Sequence, residues 1–157
     1  MENRLSLHGL TLSWPEGFHV MDEAEWSRLR VLEQGEGAGL SDPERHMIIT
    51  LGYKQTGVFS AALLNTKDLA KNMEKQIHKP MTALGYQLED WKTCTISDRE
   101  SEGFRYSYTV QNVGMTAESY VIKDKKEIYY LHVYMRTELL AASDPVWKAM
   151  LAAVVLE

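Results

Sequence analysis

The sequence predicts a single α+β domain over residues 1–157, in which a mainly antiparallel sheet of about six strands packs with helices as an α/β/α sandwich. Three observations predict it. The length of 157 residues is usual for one domain, and no repeat or linker divides the chain. Apolar and polar residues alternate with period two through most of 86–138, which is typical of strands. Apolar residues recur every three or four positions in 67–84 and 145–155, which indicates helices.

The first third of the chain predicts short elements. Residues 10–15 alternate and stop at a proline, which indicates a half-buried edge strand because proline donates no ladder hydrogen bond. Asp22 can cap a short helix on which Trp26 and Leu29 share one side. The glycine-rich stretch 34–43 contains no dinucleotide-binding spacing and predicts a flexible loop.

The middle of the chain predicts a hairpin followed by a long helix. Strands at 46–54 and 58–64 would be joined by a turn at Gly57. Thr66 can cap the helix, and Gly85 ends it. The apolar line of this helix, interpreted as core, is Leu69, Met73, Ile77, Met81 and Leu84.

The second half predicts four strands and a closing helix. The strands are expected at 86–96, 104–112, 115–123 and 128–137. On the last of them, alternation places the apolar residues Tyr129, Leu131, Val133 and Met135 on the core face. Ser143 is predicted to cap the closing helix, with Pro145 in its first turn and Trp147 on its apolar line.

This order of elements resembles the PsbP-like and DcrB-like superfamily, whose fold is shared with Ran-binding nuclear import factors. The resemblance is carried by the opening 12–18, the helix 66–84, the strands within 104–136 and the closing helix 145–156. It implies a PsbP-like fold and a non-enzymatic docking or binding role, and members are often secreted or lipid-anchored. A ferredoxin-like or cystatin-like layer has similar content and is the alternative fold.

Charge and composition exclude several classes of protein. The 17 basic and 22 acidic side chains give a net charge of −5, which argues against nucleic-acid binding through phosphate contacts. No stretch approaches the ~20 apolar residues of a membrane span, and the start lacks the apolar core of a signal peptide, so we expect a cytoplasmic protein. Cys94 is the only cysteine, which rules out an intrachain disulfide and a multi-cysteine zinc site.

The sequence contains no known catalytic motif, and we expect neither a cofactor nor a metal. No Gly-x-Ser-x-Gly nucleophile elbow occurs. Glu74 and His78 have the spacing of metal ligands on a helix, but we interpret them as a solvent-facing pair. Cys94 is interpreted as a small buried hydrophobic residue, because no neighbouring cation would lower the pKa of its thiol.

One strand face has the composition of a binding site. Alternation along 128–136 places Tyr130, His132, Tyr134 and Arg136 together, and Tyr106 and Tyr108 join them if their strand is close. Aromatic rings supply contact area, polar tips supply orientation, and Arg136 can hold a carboxylate, so the predicted ligand is an acidic small molecule or an acidic peptide. The competing interpretation is a tyrosine-lined sheet face that a helix half covers.

Three functions therefore stay open. The first is a non-catalytic binding or adaptor protein, such as a docking or chaperone-like module, whose partner is another protein. The second is a small-ligand-binding protein or an enzyme that uses the tyrosine, histidine and arginine face; a concave pocket lined by His132 would favour it. The third is a homo-oligomer that associates through an exposed strand edge.

Overall fold

A computed structural model describes residues 3–29 and 36–157 of the chain. Ten strands form within these ranges: β1 (Asn3–Leu7), β2 (Leu10–Trp14), β3 (His19–Val20), β4 (Glu36–Asp42), β5 (Met47–Gln55), β6 (Gln87–Ile96), β7 (Arg99–Val110), β8 (Val113–Asp124), β9 (Glu127–Arg136) and β10 (Val155–Leu156). The same ranges contain four α-helices: α1 (Glu23–Leu29), α2 (Val58–Leu63), α3 (Thr66–Met81) and α4 (Leu140–Ala152). Among the helices so described, none has both the length and the apolar character needed to cross a membrane.

The strands form two sheets in which neighbouring strands are antiparallel. The main sheet has the order β3-β4-β5-β9-β8-β7-β6, and a small sheet has the order β1-β2-β10. The α+β class and the four strands predicted in the second half are confirmed. In the part of the chain that the structure describes, the main sheet has seven strands rather than about six.

The first face of the main sheet carries the larger core, under α4 and the small sheet. Trp147 of α4 is fully buried there, together with Leu10 and Leu12 of β2. The predicted core residues of β9 all contribute to it: Tyr129, Leu131, Val133 and Met135. Because side chains alternate across a strand, the other residues of β9 point to the second face.

A buried ion-pair network fixes α4 on this first face. Glu118 of β8 accepts a hydrogen bond from Arg105 Nε at 2.7 Å and from the Trp147 indole N–H at 3.2 Å. Arg105 also donates to Asp144 Oδ1 of α4 at 2.7 Å. Burial opposes the charge on Asp144, but the Arg105 and Lys148 cations outweigh it and lower the pKa of that carboxyl. The network therefore ties two strands to the helix by charged hydrogen bonds.

On the second face, α3 packs over β7 and β8. Its buried residues Leu69, Ala70 and Met73 form a second core with side chains of the sheet: Phe104, Tyr106, Tyr108, Ala117, Val121 and Ile128. Asn65, rather than the predicted Thr66, caps the helix, because its side chain accepts a hydrogen bond from the Asp68 backbone N–H at 2.8 Å.

The prediction of a strand at 58–64 is wrong, since Val58–Leu63 forms helix α2. The reason lies in β5, whose two edges are already paired with β4 and β9, so that no place is left for a hairpin partner. Most of the apolar side chains of α2 are not covered by the described residues, and Val58, Phe59 and Leu63 are 74%, 89% and 84% exposed.

The prediction of a loop at 34–43 is also wrong, because Glu36–Asp42 forms strand β4; Gln34 and Gly35 lie outside the described residues. The glycines serve close packing rather than a turn. A Cβ on Gly37 would come within 2.6 Å of the Trp26 ring of α1, and one on Gly39 within 2.6 Å of a methionine sulfur. Glycine therefore allows α1 to approach the strand.

Two further predictions, on the place of one strand and on the start of one helix, differ from the structure. The strand at 10–14 is the centre of the small sheet, between β1 and β10, rather than an edge. Helix α4 begins at Leu140, so Ser143 lies buried inside it and does not cap it.

Candidate functional site

A groove runs along the second face between α3 and the strands β5 and β9. It has a cavity volume of about 440 Å³. The sheet contributes Gly52, Lys54, Tyr106, Tyr130, His132 and Tyr134 to its lining. Helix α3 contributes Met73, Gln76, Ile77, Pro80 and Met81. We call this cavity the tyrosine groove.

The strand register explains why the groove is open. Tyr134 of β9 pairs with Ala117 of β8, and His132 pairs with Ser119. On the other side, Tyr130 pairs with Gly52 of β5. Small side chains therefore stand next to the large rings, and α3 lies over β7 and β8 and leaves the β9 and β5 part of the face accessible.

His132 is held in a fixed orientation at the floor of the groove. Only 6% of the residue is exposed, and its Nδ1 lies 2.6 Å from the hydroxyl oxygen of Ser119. The Tyr134 ring lies beside it, with 6.3 Å between ring centroids. Ser119 is fully buried and does not line the cavity, so its hydroxyl orients the imidazole rather than facing a ligand.

Tyr106 lines the groove from the β7 side, and its hydroxyl has no hydrogen-bond partner among the described residues. The Ser119 hydroxyl lies close enough to lower the pKa of Tyr106, but it is held by His132 Nδ1 at 2.6 Å and does not meet the geometry of a hydrogen bond with the phenol. Burial raises the pKa of Tyr106 far above its usual range, and the neighbouring tyrosines add to this. The phenol is therefore neutral and can donate its proton to an acceptor.

Lys54 supplies the positive charge of the groove. It is the only lysine or arginine among the described residues that line the cavity. The side chain is exposed, and its ammonium nitrogen lies 5.6 Å from the centroid of the Tyr130 ring. This arrangement places a cation at the Tyr130 end of the groove.

The structure brings four of the six predicted site residues into this groove: Tyr106, Tyr130, His132 and Tyr134. Tyr108 stacks beside Tyr106, with 5.9 Å between ring centroids, but does not line the cavity. Arg136 also stays outside it, with its guanidinium 4.0 Å from a Glu138 carboxylate oxygen. The predicted carboxylate grip by Arg136 is therefore not part of the groove, and Lys54 is the nearest equivalent.

Sequence reasoning missed Lys54 and the α3 wall. Lys54 belongs to β5, which enters the site only through its pairing with β9, a long-range contact that alternation within one strand does not reveal. Met73 and Ile77 were predicted as core, and they do pack inward, but Ile77 is partly buried and also lines the groove.

The remaining candidate residues lie elsewhere and serve packing. Glu74 accepts hydrogen bonds from Tyr86 at 2.7 Å and from His78 Nδ1 at 3.2 Å, so it is bound to protein groups rather than facing solvent freely. Cys94 is half-buried, and burial raises the pKa of its thiol. Within the ranges the structure describes, no group of three or more histidine, cysteine, aspartate or glutamate side chains is arranged to hold a metal ion.

Comparison with solved structures shows the fold. PsbP (CyanoP) from Synechocystis sp. PCC 6803 superposes with a TM-score of 0.70 at 10% identity, covering 99% of this chain and 92% of that one. The protein PA94 from Pseudomonas aeruginosa gives 0.60 at 12% identity, covering 99% and 96%. LpqN, involved in cell envelope biogenesis of Mycobacterium tuberculosis, gives 0.61 at 12% identity, covering 94% and 82%.

No protein-family model matches the chain, and no curated protein matches it in sequence. Identities of 10–12% carry information about architecture only. The predicted resemblance is confirmed at that level: the chain has the PsbP-like fold.

Proposed function

We propose that the protein is a non-catalytic binding protein and that the tyrosine groove is its ligand site. The observation that carries this proposal is the cavity of about 440 Å³. Apolar side chains of α3 form most of one wall, and the sheet side contributes the polar groups of tyrosine and histidine side chains. Small-molecule sites are typically concavities of roughly 300–1,000 Å³ with this composition. Four tyrosine and histidine side chains there offer ring surfaces together with hydrogen-bonding groups.

The contacts of the groove favour binding over catalysis. A Ser–His pair is present in Ser119 and His132, but a nucleophile must reach its substrate, and Ser119 is fully buried and does not line the cavity. The Tyr106 phenol is held neutral by burial, which suits a hydrogen-bond donor better than a general base at neutral pH. The groups that face the cavity are therefore suited to hold a ligand in one orientation.

Filling the groove should abolish binding of a small aromatic probe. We expect 1-anilinonaphthalene-8-sulfonate, an anionic aromatic dye, to bind the folded protein at one site per chain with increased fluorescence. Ile77 lies half-buried in the groove wall, so Ile77→Trp should weaken the dye affinity at least about tenfold by occupying the cavity. Titration of dye fluorescence measures this effect.

The matched control is Lys75→Trp, which adds the same side chain to an exposed position of α3 and should leave dye binding unchanged. Equal thermal midpoints for the two variants would show that both are folded. Equal dye binding by wild type and Ile77→Trp contradicts the proposal. Loss of binding in Phe59→Ser instead would place the dye on α2.

Docking of another protein is a second candidate function, and the surface of α2 favours it. Val58, Phe59 and Leu63 are large apolar side chains with at least 74% of their surface exposed, on a convex helix rather than in a cavity. Contiguous exposed apolar surface of this kind is typical of protein contacts. The edge of β6 is less suited to self-association, because it carries charged residues and an irregular register between Leu88 and Asp90.

Photo-crosslinking in living cells tests the α2 surface. With p-benzoylphenylalanine at position 59 of α2, we expect an adduct of one discrete mass, because a docked partner holds one surface against the probe. The same amino acid at position 75, an exposed site on α3, should give none. An adduct of twice the chain mass identifies a second copy of this protein. Equal or absent crosslinking at the two positions contradicts docking through α2.

A further inference from the structure

Tyr106 carries a buried hydrogen-bond donor at the tyrosine groove. The residue is fully buried, and its hydroxyl has no hydrogen-bond partner in the described part of the chain. Native proteins pair the large majority of buried polar atoms, since an unpaired donor costs free energy. An unpaired donor beside a cavity is therefore a feature that a ligand can satisfy.

We propose that Tyr106 anchors the ligand of the tyrosine groove, and that this ligand is an elongated aromatic acid with an uncharged oxygen acceptor at its inner end and an anionic group at its outer end. The inner oxygen accepts a hydrogen bond from Tyr106. The outer anion lies at Lys54. This inference rests on the proposed function of the groove and specifies the class of molecule that occupies it.

The inner acceptor is uncharged because of what surrounds Tyr106. Its ring neighbours are Tyr86, Phe104 and Tyr108, none of which carries a positive charge. A buried carboxylate with no lysine or arginine beside it would be strongly destabilised, whereas a ketone or amide oxygen needs only one donor. Burial keeps the Tyr106 phenol protonated, so it is always available to donate.

The middle of the groove suits flat apolar rings. Its helix side is formed by Met73, Ile77 and Met81, and its sheet side by tyrosine and histidine rings. Methionine side chains change rotamer easily, so Met73 and Met81 can move to admit a ligand atom to the Tyr106 hydroxyl. Aromatic ligands gain stacking contacts on the sheet side that an aliphatic chain would not.

The outer end is defined by charge and by distance. Lys54 is the only lysine or arginine among the described lining residues, and it lies over the Tyr130 ring. Tyr106 belongs to the same row of paired residues as Tyr134, which is four residues along β9 from Tyr130. Four residues of a strand span about 13 Å along the strand direction, so a ligand that reaches both ends must be elongated, as two fused rings with a substituent at each end are.

Two matched probes test this inference. 6-Acetyl-2-naphthoate carries a ketone oxygen at one end and a carboxylate at the other. 6-Isopropenyl-2-naphthoate has the same shape, with a CH₂ group in place of the ketone oxygen. Isothermal titration of each probe into wild type, Tyr106→Phe, Lys54→Met, Lys75→Met and Ile77→Trp measures the affinities.

We expect wild type to bind the acetyl probe about 10-fold to 100-fold more tightly than the isopropenyl probe, because only the ketone satisfies the buried donor. Tyr106→Phe should remove this preference and leave the affinity for the isopropenyl probe within about twofold of wild type. Lys54→Met should weaken both probes about two- to fivefold, and the control Lys75→Met should weaken neither.

Each outcome bears on one of the two proposals. Equal affinity of wild type for the two probes, or a preference that survives in Tyr106→Phe, overturns the anchoring role of Tyr106. Binding of neither probe, or binding that Ile77→Trp does not reduce, overturns the groove as the ligand site.

Tyr106→Phe should also unfold at the same or a higher denaturant concentration than wild type, since it loses no hydrogen bond. A large loss of stability would show that the Tyr106 hydroxyl has a structural role instead.

Discussion

Replacing Trp147 by alanine should lower the free energy of unfolding by about 3–5 kcal/mol. The indole is fully buried between α4 and the first face of the main sheet, and its N–H donates to Glu118 at 3.2 Å. The substitution leaves a large cavity and removes the hydrogen bond. Denaturant unfolding followed by circular dichroism measures the change.

Trp91→Ala provides the matched control, since the same side chain is removed from the edge strand β6, where half of it is exposed. We expect a loss of less than about 1.5 kcal/mol there, because far less apolar surface leaves a packed site. Similar losses for the two variants would mean that α4 does not hold the core as the structure shows.

Replacing Glu118 by alanine should cost about 3–5 kcal/mol, for a different physical reason. Glu118 is 4% exposed and accepts hydrogen bonds from Arg105 and Trp147. Its removal leaves the largely buried Arg105 cation with Asp144 alone and leaves the indole N–H unpaired. Glu118→Gln keeps an oxygen acceptor and should therefore lose less. Urea unfolding curves of the two variants give both values.

Glu138→Ala serves as the control for that experiment, because Glu138 pairs with Arg136 at 4.0 Å on the surface. Exposed ion pairs contribute about 0–1 kcal/mol. A Glu118→Ala variant no less stable than Glu138→Ala would show that the buried network does not fix α4 to the sheet.

Alternation was the most informative signal in the sequence. It predicted β7, β8 and β9 and the division of β9 into a core face with Leu131 and Val133 and a second face with Tyr130 and His132. The reason is that these long strands are central in the sheet, where each side chain is either under a helix or in a core.

The elements that sequence reasoning mistook depend on long-range pairing. The glycines of strand β4 led to the prediction of a loop. In the structure they make room for the Trp26 ring, which is a tertiary contact that the local sequence pattern does not show. Residues 58–63 are apolar enough for a strand, but both edges of β5 are taken, so the chain leaves the sheet as α2. Local patterns do not contain this information.

The lining of the tyrosine groove was predictable to the extent that it lies on one strand. Tyr130, His132 and Tyr134 share a face by alternation alone, and Tyr106 joins them because β8 places a small residue between the two strands. Arg136 was predicted to join these residues because it continues the alternation, but it does not line the groove. The groove ends before it, since the α3 wall ends at Met81, and that limit is set by the placement of a helix.

Methyl-resolved NMR of the methionines tests the central proposal most directly. With the methionine methyl groups labelled with ¹³C, titration with 1-anilinonaphthalene-8-sulfonate should shift the signals of Met73 and Met81, which line the tyrosine groove, and saturate at one dye per chain. The signals of Met47, Met135 and Met150, buried on the first face of the sheet, should stay unmoved and serve as internal controls. Saturable dye binding that leaves Met73 and Met81 unshifted would contradict the groove as the ligand site.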